Sequence, residues 1–236
     1  MRTKILRTKI LLVALISIAI CVKAQGVAVQ QTGVTAAEKN AGKLATPAET
    51  PLFKSEGDFT FAYPADWEVL DMKPMLPLQR LKAEQEAKSD MERKGVDCAQ
   101  VQLTIRHGDP ASVIVIMFLE FKCLGLELKE SELAATGMGV SQGLTRSFAV
   151  KDPKYGAYIL GKHAFWIERA DGSPLDHPEH QYKLETTCTL LKKGLACWLA
   201  MAGSADAITT FEGGKVSLEG DSPTALVPAS AFALSQ

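Results

Sequence analysis

Apolar and polar residues alternate over several short stretches of this chain, and the alternation predicts strands joined by tight turns. In residues 59–63, Phe59, Phe61 and Tyr63 fall on one face. Pro64 stops that ladder because it has no N–H. After Trp67, Val69 and Leu70 read as a return strand. Val101, Leu103 and Ile105 alternate, residues 107–112 form a loop, and residues 113–119 run back almost without a polar residue. Such a continuous apolar run predicts a central strand covered on both faces. Residues 155–160 and 163–169 flank Gly161-Lys162 as another hairpin. Its alternation sets His163, Phe165, Ile167 and Arg169 on one face and Ala164, Trp166 and Glu168 on the other. Residues 170–181 read as a polar loop with two prolines. Residues 182–191 and 195–201 flank Lys192-Lys193-Gly194 as a third hairpin, residues 216–219 add a last strand, and residues 226–232 a C-terminal coat.

Helical composition appears in three places. Residues 78–94 are strong helix formers ended by Gly95, with sparse apolar positions (Leu78, Leu81, Ala87, Met91), so they predict a surface helix. Ser131 is placed to cap a helix over 132–148, with Leu133, Ala134, Met138, Ser141 and Leu144 towards the sheet. Gly137, Gly139 and Gly143 either weaken that helix or let it approach the sheet closely. Ser204 caps a short helix over 205–211, ended by Gly213-Gly214. Seven or eight strands with two or three helices and few parallel crossovers give an α+β domain: a mainly antiparallel sheet flanked by helices.

The stretch Phe59-Thr-Phe-Ala-Tyr-Pro-Ala-Asp-Trp67 has the form Phe-x-Phe-x-Tyr-Pro-x-x-Trp. It resembles the opening of PsbP-like domains and related small exported bacterial proteins. The resemblance covers these nine residues and, loosely, the order of elements after them. It implies an antiparallel sheet with helices on one or both sides, an adaptor or assembly role, and no cofactor. That superfamily mixes photosystem assembly factors, lipoproteins and binding adaptors, so the resemblance implies no single activity.

The start of the chain bears on location. Arg2, Lys4, Arg7 and Lys9 precede an apolar run from Ile10 to Val22, and Val22-Lys23-Ala24 offers cleavage before Gln25. This pattern reads residues 1–24 as a signal peptide, since the run falls short of the about 20 residues a membrane span needs. Ile20 before Cys21 departs from a lipobox, which wants a small residue there. Residues 25–52, rich in Gly, Ala, Thr and Gln, read as a disordered spacer, and residues 53–236 as one domain. The chain has 26 basic and 27 acidic residues; the leader holds five of the basic ones and no acidic one. The chain from Gln25 onward is therefore acidic overall, which argues against nucleic acid or an anionic membrane as partner. No later apolar stretch reaches membrane-spanning length. The expected location is periplasmic or secreted.

In an oxidising compartment the four remaining cysteines predict disulfides. The turn at 192–194 brings Cys188 to Cys197, and the midpoint of Cys98 and Cys123 falls in the loop of the hairpin over 99–122. The expected pairs are Cys98–Cys123 and Cys188–Cys197. No Cys-x-x-Cys spacing and no neighbouring His points to a metal at these cysteines.

The densest polar loop holds Asp176, His177, Glu179 and His180. Asp176, His177 and His180 are candidate ligands for a divalent metal, weighed against a loop that is simply solvated. Pro178 rules out the helical spacing of His-x-x-x-His sites. His163, Trp166, Glu168 and Arg169 divide between two strand faces and so read as ordinary cross-strand chemistry rather than one site. His107 and Asp109 lie at a hairpin tip. There is no Gly-x-Ser-x-Gly, phosphate loop or dinucleotide fingerprint, hence no catalytic residue to name. The reading is an exported, non-enzymatic binding or assembly module of the cell envelope, acting on another envelope or extracellular protein or a small ligand. The alternatives are a metal-assisted hydrolase using the 176–180 loop and a structural envelope protein.

Overall fold

A computed structural model describes residues 50–87 and 89–232. The expected leader, nearly all of the expected spacer and residues 233–236 lie outside these described residues. In chain order the strands are β1 (Leu52–Lys54), β2 (Phe59–Ala62), β3 (Glu68–Val69), β4 (Ala99–His107), β5 (Ser112–Glu120), β6 (Phe148–Leu160), β7 (His163–Pro174), β8 (Tyr182–Leu191), β9 (Gly194–Ala202), β10 (Lys215–Leu218) and β11 (Thr224–Ala225). The helices are α1 (Leu76–Glu86), α2 (Asp90–Cys98), α3 (Phe121–Leu124), α4 (Leu133–Gln142) and α5 (Ala205–Gly213).

The strands form two antiparallel sheets. A seven-stranded sheet runs β3-β4-β5-β9-β8-β7-β6, and a four-stranded sheet runs β1-β2-β10-β11. One face of the large sheet packs on the small sheet and α5: Phe59, Phe61, Phe211, Val216 and Leu226 meet Ile114, Ile116, Phe165 and Trp198. The other face packs on helices, with Leu133 and Leu144 near α4 and Phe121 and Leu124 of α3 against Val115, Leu184, Cys197 and Leu199. The fold is α+β with mainly antiparallel sheet. β5 and β9 lie at its centre, covered on both faces, as the apolar run at 113–119 requires. Trp198 is fully buried, with the Phe59 ring edge-on at 5.0 Å. Each buried aromatic of this kind contributes about 1.5–3 kcal/mol through the area it removes from water. Among the described residues no helix is long and apolar enough to cross a membrane.

Several elements differ from the sequence expectation. The expected helix 78–94 is two helices, because the Ser89 hydroxyl accepts the Glu92 N–H at 3.2 Å and starts α2 anew. Gly95 therefore lies inside α2 rather than ending a helix. In α1 the leucines face outward, Leu78 being 73% exposed, while Gln79 and Ala83 face inward. The expected helix 132–148 is α4 with a 3₁₀ turn at each end, Glu130–Glu132 and Gly143–Arg146. Its start is closed by Glu132, whose carboxylate accepts the Lys129 N–H, not by Ser131. Ala134 and Met138 are exposed, and the inward positions are Leu133, Thr136, Gly137 and Ser141. Gly137 allows close approach: a Cβ there would stand 2.2 Å from the Trp166 ring. β3 is not the return strand of β2; it pairs with β4 in the other sheet, so the chain changes sheets at Pro64. β6 starts at Phe148, and β7 runs on through Asp171 to Pro174, stretches the alternation assigned to helix or loop.

The disulfides Cys98–Cys123 and Cys188–Cys197 are present, which fits the expected pairing. The first ties the end of α2 to α3 and the second staples β8 to β9, where the two residues are register partners.

Candidate functional site

The residues that meet most productively at the surface come from both halves of the early chain. β3 lies beside the end of β4, so Glu68 is the register partner of Arg106. Arg106 Nε donates to Glu68 Oε2 at 2.8 Å. Trp67, just before β3, is buried, and its ring stacks on His107 at 5.6 Å between centroids and 20° between planes. His107 Nδ1 lies 3.3 Å from the Asp66 carbonyl oxygen and 3.7 Å from its carboxylate. The connection from β4 to β5 turns back at Gly108 (φ 78°) and the cis Asp109-Pro110 bond. Together these elements enclose an open cleft of about 620 Å³ lined by Asp66, Glu68, Arg106, His107, Asp109 and the small residues Gly108 and Ala111. The volume falls within the range of ligand-binding clefts. Its chemistry is polar: three carboxylates, one guanidinium and one imidazole, on a floor braced by the Trp67 ring. Exposed ion pairs such as Arg106–Glu68 contribute only about 0–1 kcal/mol, so a partner's polar groups compete with them at little cost.

Two buried carboxylates lie elsewhere on the large sheet. Glu168, on the helix-covered face, accepts a hydrogen bond from Ser141 Oγ at 2.5 Å, and burial pushes its carboxyl above the usual range. Glu185, on the opposite face, has no exposed surface; burial pushes it up to about 8, against the pull of Arg169. Arg169 Nε donates to Glu185 at 2.5 Å and its Nη2 to Glu212 of α5 at 2.6 Å, while Phe232 stacks on the guanidinium at 4.1 Å. Beside them Tyr158 and Thr187 share a 2.7 Å hydrogen bond, and burial raises the Tyr158 phenol far above its ordinary value. These groups lock α5 and the C-terminal segment to the sheet.

The sequence candidates are dispersed accordingly. His163, Trp166, Glu168 and Arg169 each have separate structural neighbours: Asp221 at 3.7 Å, Gly137, Ser141, and the Glu185–Glu212 pair. His177 and His180 do approach one another, with ring centroids 5.8 Å apart. They meet about Glu179, at 3.2 and 3.5 Å, rather than about Asp176. The Glu179 backbone N–H and the two imidazoles hold its carboxyl below the usual range. Among the described residues, no group of three or more His, Cys, Asp and Glu side chains is arranged to hold a metal ion. Of the residues singled out in the sequence, His107 and Asp109 line the cleft. Asp66, Glu68 and Arg106 carry no local signal, because β3 and β4 are distant in sequence. Glu185 falls with Lys183, Thr187 and Thr189 on the polar alternation of its strand, which reads as solvent-facing, whereas the strand is buried on both faces from Leu184 to Thr189.

No protein-family model matches the chain, and no curated protein matches it. Among solved structures it is similar to the solution structure of cyanobacterial PsbP (CyanoP) from Synechocystis sp. PCC 6803. The two share 12% identity over 72% of this chain and 89% of that one, with a TM-score of 0.39.

Proposed function

We propose that this chain is an exported, non-enzymatic binding or assembly module of the cell envelope, working in the periplasm or outside the cell. It takes a polar segment of another envelope or extracellular protein, or a small polar ligand, in the cleft at the β4–β5 tip. The observation that carries this reading is the cleft itself: about 620 Å³, open, edged by both signs of charge, and lined by His107, whose ring is stacked on the buried Trp67. Export is supported by the basic and apolar leader pattern and by the two disulfides. The metal-assisted hydrolase has weaker support, since the two histidines meet about the exposed Glu179 and, among the described residues, no three such side chains are arranged to hold a metal ion.

Affinity capture from envelope extract tests the cleft. The Arg106→Ala/His107→Ala double variant should lose a species that the wild type retains. A control change outside the cleft lining, Lys82→Ala on α1, should leave that capture intact. If the same species bind all three proteins equally, the cleft is not the docking site.

A further inference from the structure

Among the described residues, the large sheet has two free edges. One is β3, only two residues long, beside the cleft; the other is β6, thirteen residues long, at the far side of the sheet. An exposed long edge strand presents unpaired N–H and C=O groups to any strand that matches it, and proteins blunt such edges with bulges, prolines and lysines. β6 is blunted in its first half only. Its pairing with β7 is irregular between Lys151 and Lys154, Asp152 has φ 49°, and Pro153 lacks an N–H. Residues 155–159 carry none of these devices.

The hairpin geometry fixes which backbone groups of 155–159 point outward. Leu160 and His163 close the two-residue turn and are register partners, so they form a hydrogen-bonded pair. Alternation then turns the backbones of Tyr155, Ala157 and Ile159 to the free edge. The side-chain hydrogen bonds agree: the carbonyls of Ala164 and Trp166 accept from Thr189 and Thr187 of β8, so these residues face away from β6. Their register partners are Ile159 and Ala157. Ala231 and Phe232 lie over the sheet face rather than along the edge: a Cβ on Gly156 would meet the Ala231 carbonyl at 2.8 Å and the Phe232 ring at 3.2 Å.

The same stretch is self-complementary. Tyr155 (43% exposed) and Ile159 (70% exposed) stand symmetrically about Ala157 on one face of the strand. We propose that two copies of this chain pair antiparallel along β6 about a two-fold axis at Ala157, joining the two large sheets into one. In that register Tyr155 of each copy packs beside Ile159 of the other, an aromatic–β-branched pair of the kind that stabilises sheets. The interface is isologous, so each such contact occurs twice. The outward groups of 155, 157 and 159 supply about six backbone hydrogen bonds. This goes beyond the cleft reading and uses the opposite edge of the sheet.

The chain from residue 25 onward, studied by sedimentation velocity from micromolar to submillimolar concentration, should show a monomer–dimer equilibrium. Ala157→Pro removes the central N–H from both copies and should weaken the dimer by about tenfold or more, the effect of two lost hydrogen bonds. Ile159→Lys, at an exposed position, should do the same while leaving thermal unfolding unchanged. Ala157→Cys should form a covalent dimer on mild oxidation, since paired Cα atoms across this ladder stand within disulfide reach. Ala134→Cys on the exposed face of α4 should not. A monomer at every concentration, a dimer that survives both substitutions, or a dimer that Ala157→Cys fails to cross-link would overturn the proposal.

Discussion

Glu185 is the residue whose environment has the clearest measurable consequence. Its carboxyl has no exposed surface, and burial pushes it up to about 8 from an ordinary value of 4.5. Between those values the folded protein keeps a proton that the unfolded chain releases. Its contribution is therefore full below about 4.5 and is lost as pH rises through about 8. Glu185→Gln keeps an acceptor for Arg169 and never ionises, so Tm should fall less steeply from pH 5 to 8 than in the wild type. Glu168 is raised in the same direction, so the difference between variant and wild type, rather than either curve alone, isolates Glu185. Equal slopes would mean that Glu185 stays ionised beside Arg169 throughout. The burial of Glu185 is not legible in its strand, where it falls with Lys183, Thr187 and Thr189 on the polar alternation. Nor is the stacking of Trp67 on His107, because nothing local tells a tryptophan which of many distant hairpin tips it will meet.

The elements were legible where one signal dominated. The hairpin of β8 and β9 combines long apolar runs with a Lys-Lys-Gly turn, and α5 begins at a serine whose hydroxyl accepts the Ala207 N–H. Where two signals competed, the pattern misled. Residues 78–94 are helix formers throughout, yet Ser89 caps a second helix within them. β3, with only two residues, has too little alternation to declare its sheet. Residues 151–154 are Lys-Asp-Pro-Lys at a solvated edge, so strand and loop look alike there. The α4 glycines resolve in favour of close packing at Gly137. Gly137→Ala would drive a methyl group against Trp166, and despite the better helix propensity of alanine it should destabilise the fold by about 1–3 kcal/mol in urea unfolding. A neutral or stabilising result would show that α4 shifts freely on the sheet.

On the scale of the molecule, the two disulfides act on loops of different length. Cys98 and Cys123 are 25 residues apart, Cys188 and Cys197 only 9. In the chain-entropy account, Cys98→Ser/Cys123→Ser should cost about 1 kcal/mol more than Cys188→Ser/Cys197→Ser, readable by urea denaturation. The reverse order would show that packing around the fully buried Cys188 outweighs the loop term. The small sheet brings together the two ends of the described chain: Phe59 of β2 is the register partner of Leu218 of β10. During synthesis, which proceeds from the N-terminus, β2 thus emerges early and waits for a partner that arrives near the end. A chain stopped at residue 214 lacks the strand that covers Phe59 and Phe61, and it should bind a hydrophobic dye and yield quickly to protease where the longer chain does not. The large sheet, whose strands are all present by Ala202, would then stand with one face bare until the last fraction of the chain appears.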